Sequence, residues 1–302
     1  MNVFYHPLYS ALPLPAHHRF PIHKYRLLYE RLLADPELGK AVHLHCAEPA
    51  TKEQLARVHT PEYIDDFIGG TLPASAQKRI GFPHGDALVA RTLQSVGNSL
   101  GAAYCALEHG IAVNLAGGYH HAFAGHGSGY CIFNDLAIAA RELIQQGRVD
   151  TVLLLDLDVH QGDGSASILG DDADIITLSL HGEQNFPRLK QSSDYDFPLP
   201  TGCDDALYLD TLETALNLVL RLHQPDIILC NAGADVVSED ELGTLSLSLD
   251  AVRQRDSLVM DMAKQRSIPL CCALGGGYQR NLTRVVDVHW QLLLSAYHTY
   301  KE

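Results

Sequence analysis

The stretch TVLLLDLDVHQGDG, residues 151–164, decides how the rest of the chain is organised. Four apolar residues, Val152, Leu153, Leu154 and Leu155, run directly into Asp156, Leu157, Asp158, Val159 and His160. A short continuous apolar run reads as a strand buried on both faces. Alternation then takes over. In extended backbone, side chains two apart share a face, so Asp156, Asp158 and His160 point together while Leu157 and Val159 point away. Two carboxylates and an imidazole beside a buried strand end are costly to desolvate unless a cation or a hydrogen-bond network compensates them. A divalent metal is the simplest compensation, because Asp oxygen and His nitrogen are both zinc ligands. A polar strand end that caps the next helix is the plainer alternative. Gly162 and Gly164 favour the metal, since glycines let a backbone turn tightly around a ligand.

Outward from this stretch the pattern repeats. Strands are predicted over 111–115, 152–156, 175–180, 227–231 and 268–274, with helices over 136–146, 206–223 and 249–265 between them. Upstream, residues 1–5 read as a strand, and Pro7, Pro13, Pro15 and Pro21 mark a loop. A helix follows over 23–33, a short strand over 42–46, and a helix from 51 to 58 capped by Thr51. The Gly- and Pro-rich residues 69–86 read as one long loop, of a length that in compact domains is usually functional. The helix over 87–108 carries Gly97, Gly101, Ala102 and Ala103, which permit close packing. The alternation predicts an α/β fold: a single domain over 1–302 with a mainly parallel central sheet flanked by helices.

In open parallel sheets, ligands gather at the carboxyl ends of the strands. Strand 111–115 is followed by AGGYHHA, 152–156 by the DLDVHQGDG continuation, and 175–180 by His181. Strand 227–231 is followed by AGAD, and 268–274 by GGGY. Five strand ends thus place His, Asp, Gly and Tyr along one edge of one sheet, which marks a site.

Composition narrows the partners. Hydrophobic residues make up 46% and charged residues 19%, enough for a full core. The formal net charge is −14 with no Lys/Arg block, which argues against nucleic acid and anionic membranes as partners but not against cationic amines. No apolar run reaches the roughly 18 residues of a spanning helix, and MNVFYHPLYS lacks the basic and apolar regions of a secretory signal. Seven cysteines without a CxxC pair, three of them (Cys230, Cys271, Cys272) inside apolar runs, read as buried thiols, so a reducing cytoplasm is expected.

The remaining polar residues have chemistry to do. Asp235 supplies a third ligand beside Asp158 and His160, and three ligands with an open position are the pattern of catalytic zinc. Fe(II), Mn(II) or Co(II) would also suit the set. A cation there polarises a carbonyl and acidifies water. His120 and His121 offer a general base, and Asp156 and Asp163 are the acids available to fix imidazole tautomer and charge. Tyr278 offers a phenol to a developing oxyanion.

These stretches, AGGYHHA (116–122), GSGYCIFND (127–135), DLDVHQGDG (156–164), LSLH (178–181), AGAD (232–235) and LGGGY (274–278), resemble the zinc-dependent histone deacetylases and their bacterial relatives. The HPLYSALPLPAHHRFPIHKY opening and the length look most like the class IV branch. The resemblance implies an arginase/deacetylase-like fold, with Asp158, His160 and Asp235 holding zinc. It implies His121 as general base then acid with Asp163 behind it, His120 paired with Asp156 and acting electrostatically, and Tyr278 polarising the amide carbonyl. It also implies a monovalent cation, usually potassium, at Asp156, Asp158, His160, Ser179 and Leu180. Tyr130 and Phe186 would wall the acyl-lysine tunnel with Gly276 and Gly277, Leu242 would form its lip, and Arg19 would lie in the pocket beneath the metal. Where many class I relatives carry an Asp before the long helix, this chain has Ile80-Gly81-Phe82-Pro83, so its grip on a peptide backbone is expected to differ.

The reading is a metal-dependent amidohydrolase that removes acyl groups from lysine side chains, on a protein, a peptide or an acylated small amine such as an acetylpolyamine. Two rivals differ in kind. An arginase-like hydrolase shares the fold but needs more acidic ligands for paired metals. An inert acyl-lysine reader would be expected to have lost a ligand, a base or the Tyr, and none is missing.

Overall fold

The computed structural model describes residues 1–15 and 17–301. The chain opens with β1 (Asn2–Phe4), a short 3-10 turn (Pro7–Ser10), α1 (Lys24–Ala34), α2 (Leu38–Ala41) and β2 (His43–His45). Next come α3 (Lys52–Leu55), α4 (Pro61–Gly69), α5 (Ala74–Ile80), α6 (Asp86–His109) and β3 (Ile111–Asn114). The second half runs α7 (Asp135–Gln145), β4 (Val152–Asp156), α8 (Asp163–Leu169), β5 (Ile175–Gly182), β6 (Tyr195–Leu199), α9 (Asp205–His223) and β7 (Ile227–Asn231). It ends with α10 (Leu249–Gln265), β8 (Leu270–Ala273) and α11 (Leu282–Tyr300).

All eight strands pair in parallel, in the order β2-β1-β3-β8-β7-β4-β5-β6. The run Val152–Asp156 is buried at every position, as its unbroken apolar pattern requires of a central strand. Register aligns Asn114, Ala273, Asn231, Asp156 and Ser179 in one row across five neighbouring strands. Every loop that leaves this row therefore starts from the same edge. α6 and α7 lie against the sheet on β1, β3, β8 and on β4, β7 respectively, while α1, α11, α10 and α9 touch one another in sequence. The small residues of α6 act as expected: a Cβ on Gly97 would sit 2.0 Å from the Glu48 carbonyl, and one on Gly101 would meet Ala47 and Phe4.

The structure departs from the sequence reading in several elements. Residues 69–86 are not one loop but contain α5, whose last turn accepts hydrogen bonds from Gly129 and Tyr130 at Arg79 and Ile80. The helices α2, α4, α8 and α11 and the strand β6 lie outside the predicted set. Among the described residues, no helix is long and apolar enough to cross a membrane.

One buried imidazole ties two of these segments together. His59, 2% exposed, stands 3.0 Å from the Phe123 carbonyl through Nδ1 and accepts the Asn134 N–H at 2.9 Å through Nε2. Both bonds hold only in the neutral Nδ1–H tautomer. Burial pushes its pKa down to about 4, against the two carbonyls that favour the proton. A depressed imidazole stabilises the fold fully above its unfolded value near 6.5, and that stability drains away as pH falls towards about 4. The group is expected to contribute about 3 kcal/mol of acid sensitivity over that window. Thermal unfolding of wild type and His59→Leu across the window tests this: the variant starts less stable but loses less on acidification, and parallel curves would contradict the assignment.

Candidate active site

Four adjacent strands, β3, β8, β7 and β4, deliver the site. The loop after β3 carries His120 and His121, that after β4 carries Asp158 and His160 and runs into Asp163 at the start of α8, that after β7 carries Asp235, and that after β8 carries Gly275 to Tyr278. β5 extends through His181 and Gly182, so His181 lies within the strand rather than beyond it. Its Nδ1 is 2.9 Å from Ser179 Oγ.

Asp158, His160 and Asp235 converge, with one ligand atom from each lying within 4.8 Å of the others, and all three are buried. His160 Nδ1 is 3.0 Å from Asp158 Oδ1 and 3.2 Å from Asp235 Oδ2. Two atoms about 2 Å from a tetrahedral centre stand roughly 3.3 Å apart, so this spacing suits a shared small cation. Asp235 Oδ2 is buried without a hydrogen-bond partner, an acceptor left for a metal. Burial and the neighbouring Asp158 charge push the Asp235 carboxyl up, a cost that a dication removes. Gly276 donates its N–H to Asp158 Oδ2 at 2.7 Å, and a Cβ there would fall 2.0 Å from Asp235 Oδ2, so only glycine fits. Arg255, 1% exposed, braces both ligand loops by donating to the Gly233 carbonyl at 2.6 Å and reaching that of Leu157 at 3.5 Å.

Each of the two histidines faces a carboxylate. His120 Nδ1 is 2.7 Å from Asp156 Oδ2, and its Nε2 faces Asp158 Oδ1 at 3.8 Å. His121 Nδ1 is 2.6 Å from Asp163 Oδ1, and its ring lies 5.8 Å from that of His160. Their charges are driven apart. Burial would lower His120, but the charges of Asp156 and Asp158 and the hydrogen bond to Asp156 outweigh it and carry the pKa up to about 9. Burial, with the His120 charge added, takes His121 down to about 4 despite Asp163. The two imidazoles are thus driven in opposite directions, His120 towards its charged form and His121 towards its neutral form. Tyr278, half-buried, has its ring 6.2 Å from that of His160, and its backbone N–H is fixed at 2.7 Å by Asp240 Oδ2.

The residues expected to wall a tunnel lie around these groups. The Phe186 ring stands edge-on to His121 at 4.9 Å and is 48% exposed, so it lines the mouth. Tyr130 packs 5.9 Å from Tyr278 on the other side, in left-handed backbone at φ 67°. Half-buried Leu242 is held by its carbonyl, which accepts from Asn185 one residue before Phe186. Gly277 is placed against Ala234 and His289. For the monovalent site, register brings Asp156 opposite Ser179, with Leu180 next on β5.

Arg19 is a correction. Its side chain is 52% exposed and pairs with Glu241 at 3.5 Å, so it sits on the rim and not beneath the ligands. The buried cation on the inner side is Lys24, 1% exposed, which donates to the Gly275 carbonyl at 3.1 Å. Burial lowers its pKa to about 8 against the pull of Asp235 and Asp158. The signal was present in the sequence, since Lys24 shares a helical face with Leu28 and Leu32 at i, i+4 and i+8.

Three further residues escaped the sequence reading. Asp135 is fully buried and accepts from the Tyr119 and Gly118 N–H groups and from Ser99, so it sets the turn that presents His120 and His121. Asn231 donates to Asp156 at 3.0 Å, leaving that carboxylate to orient His120. Asp240 holds Tyr278, Leu242 and Gly243 by their N–H groups. Each lay in or beside a stretch already singled out, but its role depends on which backbone donors fold back onto it.

Comparison with known proteins agrees with this geometry. The histone deacetylase domain profile matches residues 18–293. An uncharacterised protein of Picosynechococcus is 43% identical over 99% of both chains. The acetoin utilization protein AcuC of Bacillus subtilis is 32% identical over 80% of this chain and 67% of its own. A crystal structure of a histone deacetylase homologue complexed with SAHA superposes with a TM-score of 0.81 at 25% identity, covering 100% of this chain and 84% of that one. These matches do not single out the class IV branch. With the ligand triad, the two histidine–aspartate pairs and the tyrosine in one cleft, they establish that this chain belongs to the histone deacetylase family.

Proposed function

We propose that the protein is a zinc-dependent deacylase that removes acetyl or longer acyl groups from lysine side chains. The observation that supports it most is the convergence of Asp158, His160 and Asp235 beside a neutral His121 and a half-buried Tyr278. Zinc fits the Asp-His-Asp donor set, and Fe2+ is the other candidate. A dication bound there supplies Lewis-acid polarisation of the acyl carbonyl and a lower pKa for water. His121 takes the proton of the attacking water on Nε2, with Asp163 fixing the ring, and returns it to the leaving amine. Tyr278 donates its phenol to the carbonyl oxygen as charge develops there. His120, held cationic by Asp156, adds positive potential beside the same oxygen. Potassium at Asp156, Asp158, His160, Ser179 and Leu180 would bind with a structural role.

Among the described residues one three-ligand group is present, which favours the single-metal deacylase over an arginase-like pair. A panel of acetyl- and longer acyl-lysine peptides and acetylated polyamines, assayed with zinc loaded, tests the reading. Hydrolysis of an acyl-lysine is the expected result; binding without any turnover would make the protein a reader instead.

A further inference from the structure

Beside the tunnel mouth lies a second cleft, of about 480 Å³, and Tyr278 belongs to the walls of both. Its rim carries Arg19 and Arg280, which are 52% and 81% exposed. Both reach the same carboxylate: Glu241 accepts from Arg280 Nε at 3.0 Å through Oε1 and lies 3.5 Å from Arg19 through Oε2. Two guanidinium groups on one carboxylate leave a net positive charge and unused donor faces. This stands out in a chain of net charge −14.

The placement ties the cleft to the reaction. Glu241 lies between Asp240, which holds the Tyr278 backbone, and the lip residue Leu242. Arg280 follows Tyr278 by two residues. Arg19 lies between His18, which is bonded to the Gly81 carbonyl at 3.0 Å, and Phe20, which packs 5.2 Å from the Tyr130 ring. Burial pushes the Tyr130 phenol up, and the Arg19 charge offsets part of that rise. The segment Ile80-Gly81-Phe82-Pro83, on that same side, offers no acid to a substrate N–H. The mouth therefore presents two arginines against one carboxylate, Glu241.

We propose that this cleft is a carboxylate-binding subsite in which Arg19 and Arg280 recognise an acidic group on the acylated amine, and that it selects acyl-lysines bearing a nearby carboxylate over cationic acylpolyamines. The proposal rests on the deacylase reading. An acyl-lysine that buries its four-carbon stem in the tunnel leaves its α-carbon, and any α-carboxylate, at the mouth. A polyamine leaves an ammonium there, facing two arginines. Glu241 competes internally for the same donors, so its removal strengthens the subsite.

The test compares Nα-capped Nε-acetyl-lysine as free acid and as carboxamide, an acetyl-lysine peptide with a neighbouring Asp, and N-acetylspermidine. Both kcat/KM and calorimetric binding are measured for zinc-loaded wild type, Arg19→Gln/Arg280→Gln and Glu241→Gln. The acid-to-amide ratio is expected to favour the acid by about fivefold in wild type, to fall near unity in the arginine variant, and to rise in Glu241→Gln. A preference for the free acid alone assigns the α-carboxylate, and one shared by the peptide assigns any nearby acid. A ratio unmoved by either variant, including an equal loss on both substrates, overturns the subsite while leaving the deacylase reading intact. Absence of turnover on every substrate overturns the deacylase reading instead, and the binding ratio still decides whether the cleft takes a carboxylate.

Discussion

Replacing His121 with Ala is expected to lower kcat on an acyl-lysine substrate by about 10²–10⁴, with metal content unchanged. In the proposed mechanism the residue moves protons. It is 4% exposed, its Nδ1 is committed to Asp163 at 2.6 Å, and burial holds it neutral at working pH. It coordinates none of the three ligand groups, so its loss leaves the metal site whole. Tyr278→Phe removes one donor to the carbonyl oxygen and is expected to cost about 10²–10³ in kcat. Asp163→Asn keeps the shape but weakens the orientation of His121, a smaller loss that falls on kcat more than on KM. Steady-state kinetics beside metal analysis separates these cases. Full activity in His121→Ala would remove it from the proton-transfer role.

The second large effect concerns the ligands themselves. Asp235→Ala or His160→Ala is expected to weaken zinc binding by more than the roughly 10- to 100-fold typical of outer partners, and to abolish turnover at stoichiometric metal. Asp235 is fully buried with one oxygen unsatisfied, and His160 lies within 3.2 Å of both carboxylates, so neither has a substitute nearby. Asp156→Asn touches an outer partner and belongs in the 10- to 100-fold class, roughly. Competition with a metallochromic chelator measures all three. If the Asp235 and Asp156 variants bound zinc equally, the ligand assignment would be wrong.

Much of this arrangement was legible in the residues before any coordinates. The run VLLLD reads as a strand covered on both sides, and it is the buried β4. Once that strand is central and parallel, the His, Asp and Tyr residues after the other apolar runs must share an edge, because register stacks their last residues in a row. What the sequence hid was determined by contacts between distant segments. β6 (YDFPL) alternates Tyr195, Phe197 and Leu199 with Asp196 and Pro198, but it is short and its proline argues against a strand; Pro198 is tolerated because the strand is at the sheet edge. α5 sat among glycines and prolines that marked its ends rather than a continuous loop: Pro73 opens it, and Gly81 closes it in left-handed backbone. Arg19 and Lys24 are both cations in one short segment; the phase of α1 turns Lys24 inward, whereas Arg19 lies in the loop before the helix and stays on the rim. Asp135 could not be distinguished from an ordinary helix-start carboxylate until the Gly118 and Tyr119 N–H groups were seen to fold onto it.

The measurement that bears most directly on the whole account is a zinc titration of metal-stripped protein, followed by the initial rate of acetyl-lysine hydrolysis. Three ligands around one position, with His121 and Tyr278 beside it, predict no activity without metal and a linear rise that breaks at one equivalent per chain. Full activity in the stripped protein, or a break at two equivalents, would contradict a single catalytic cation at Asp158, His160 and Asp235.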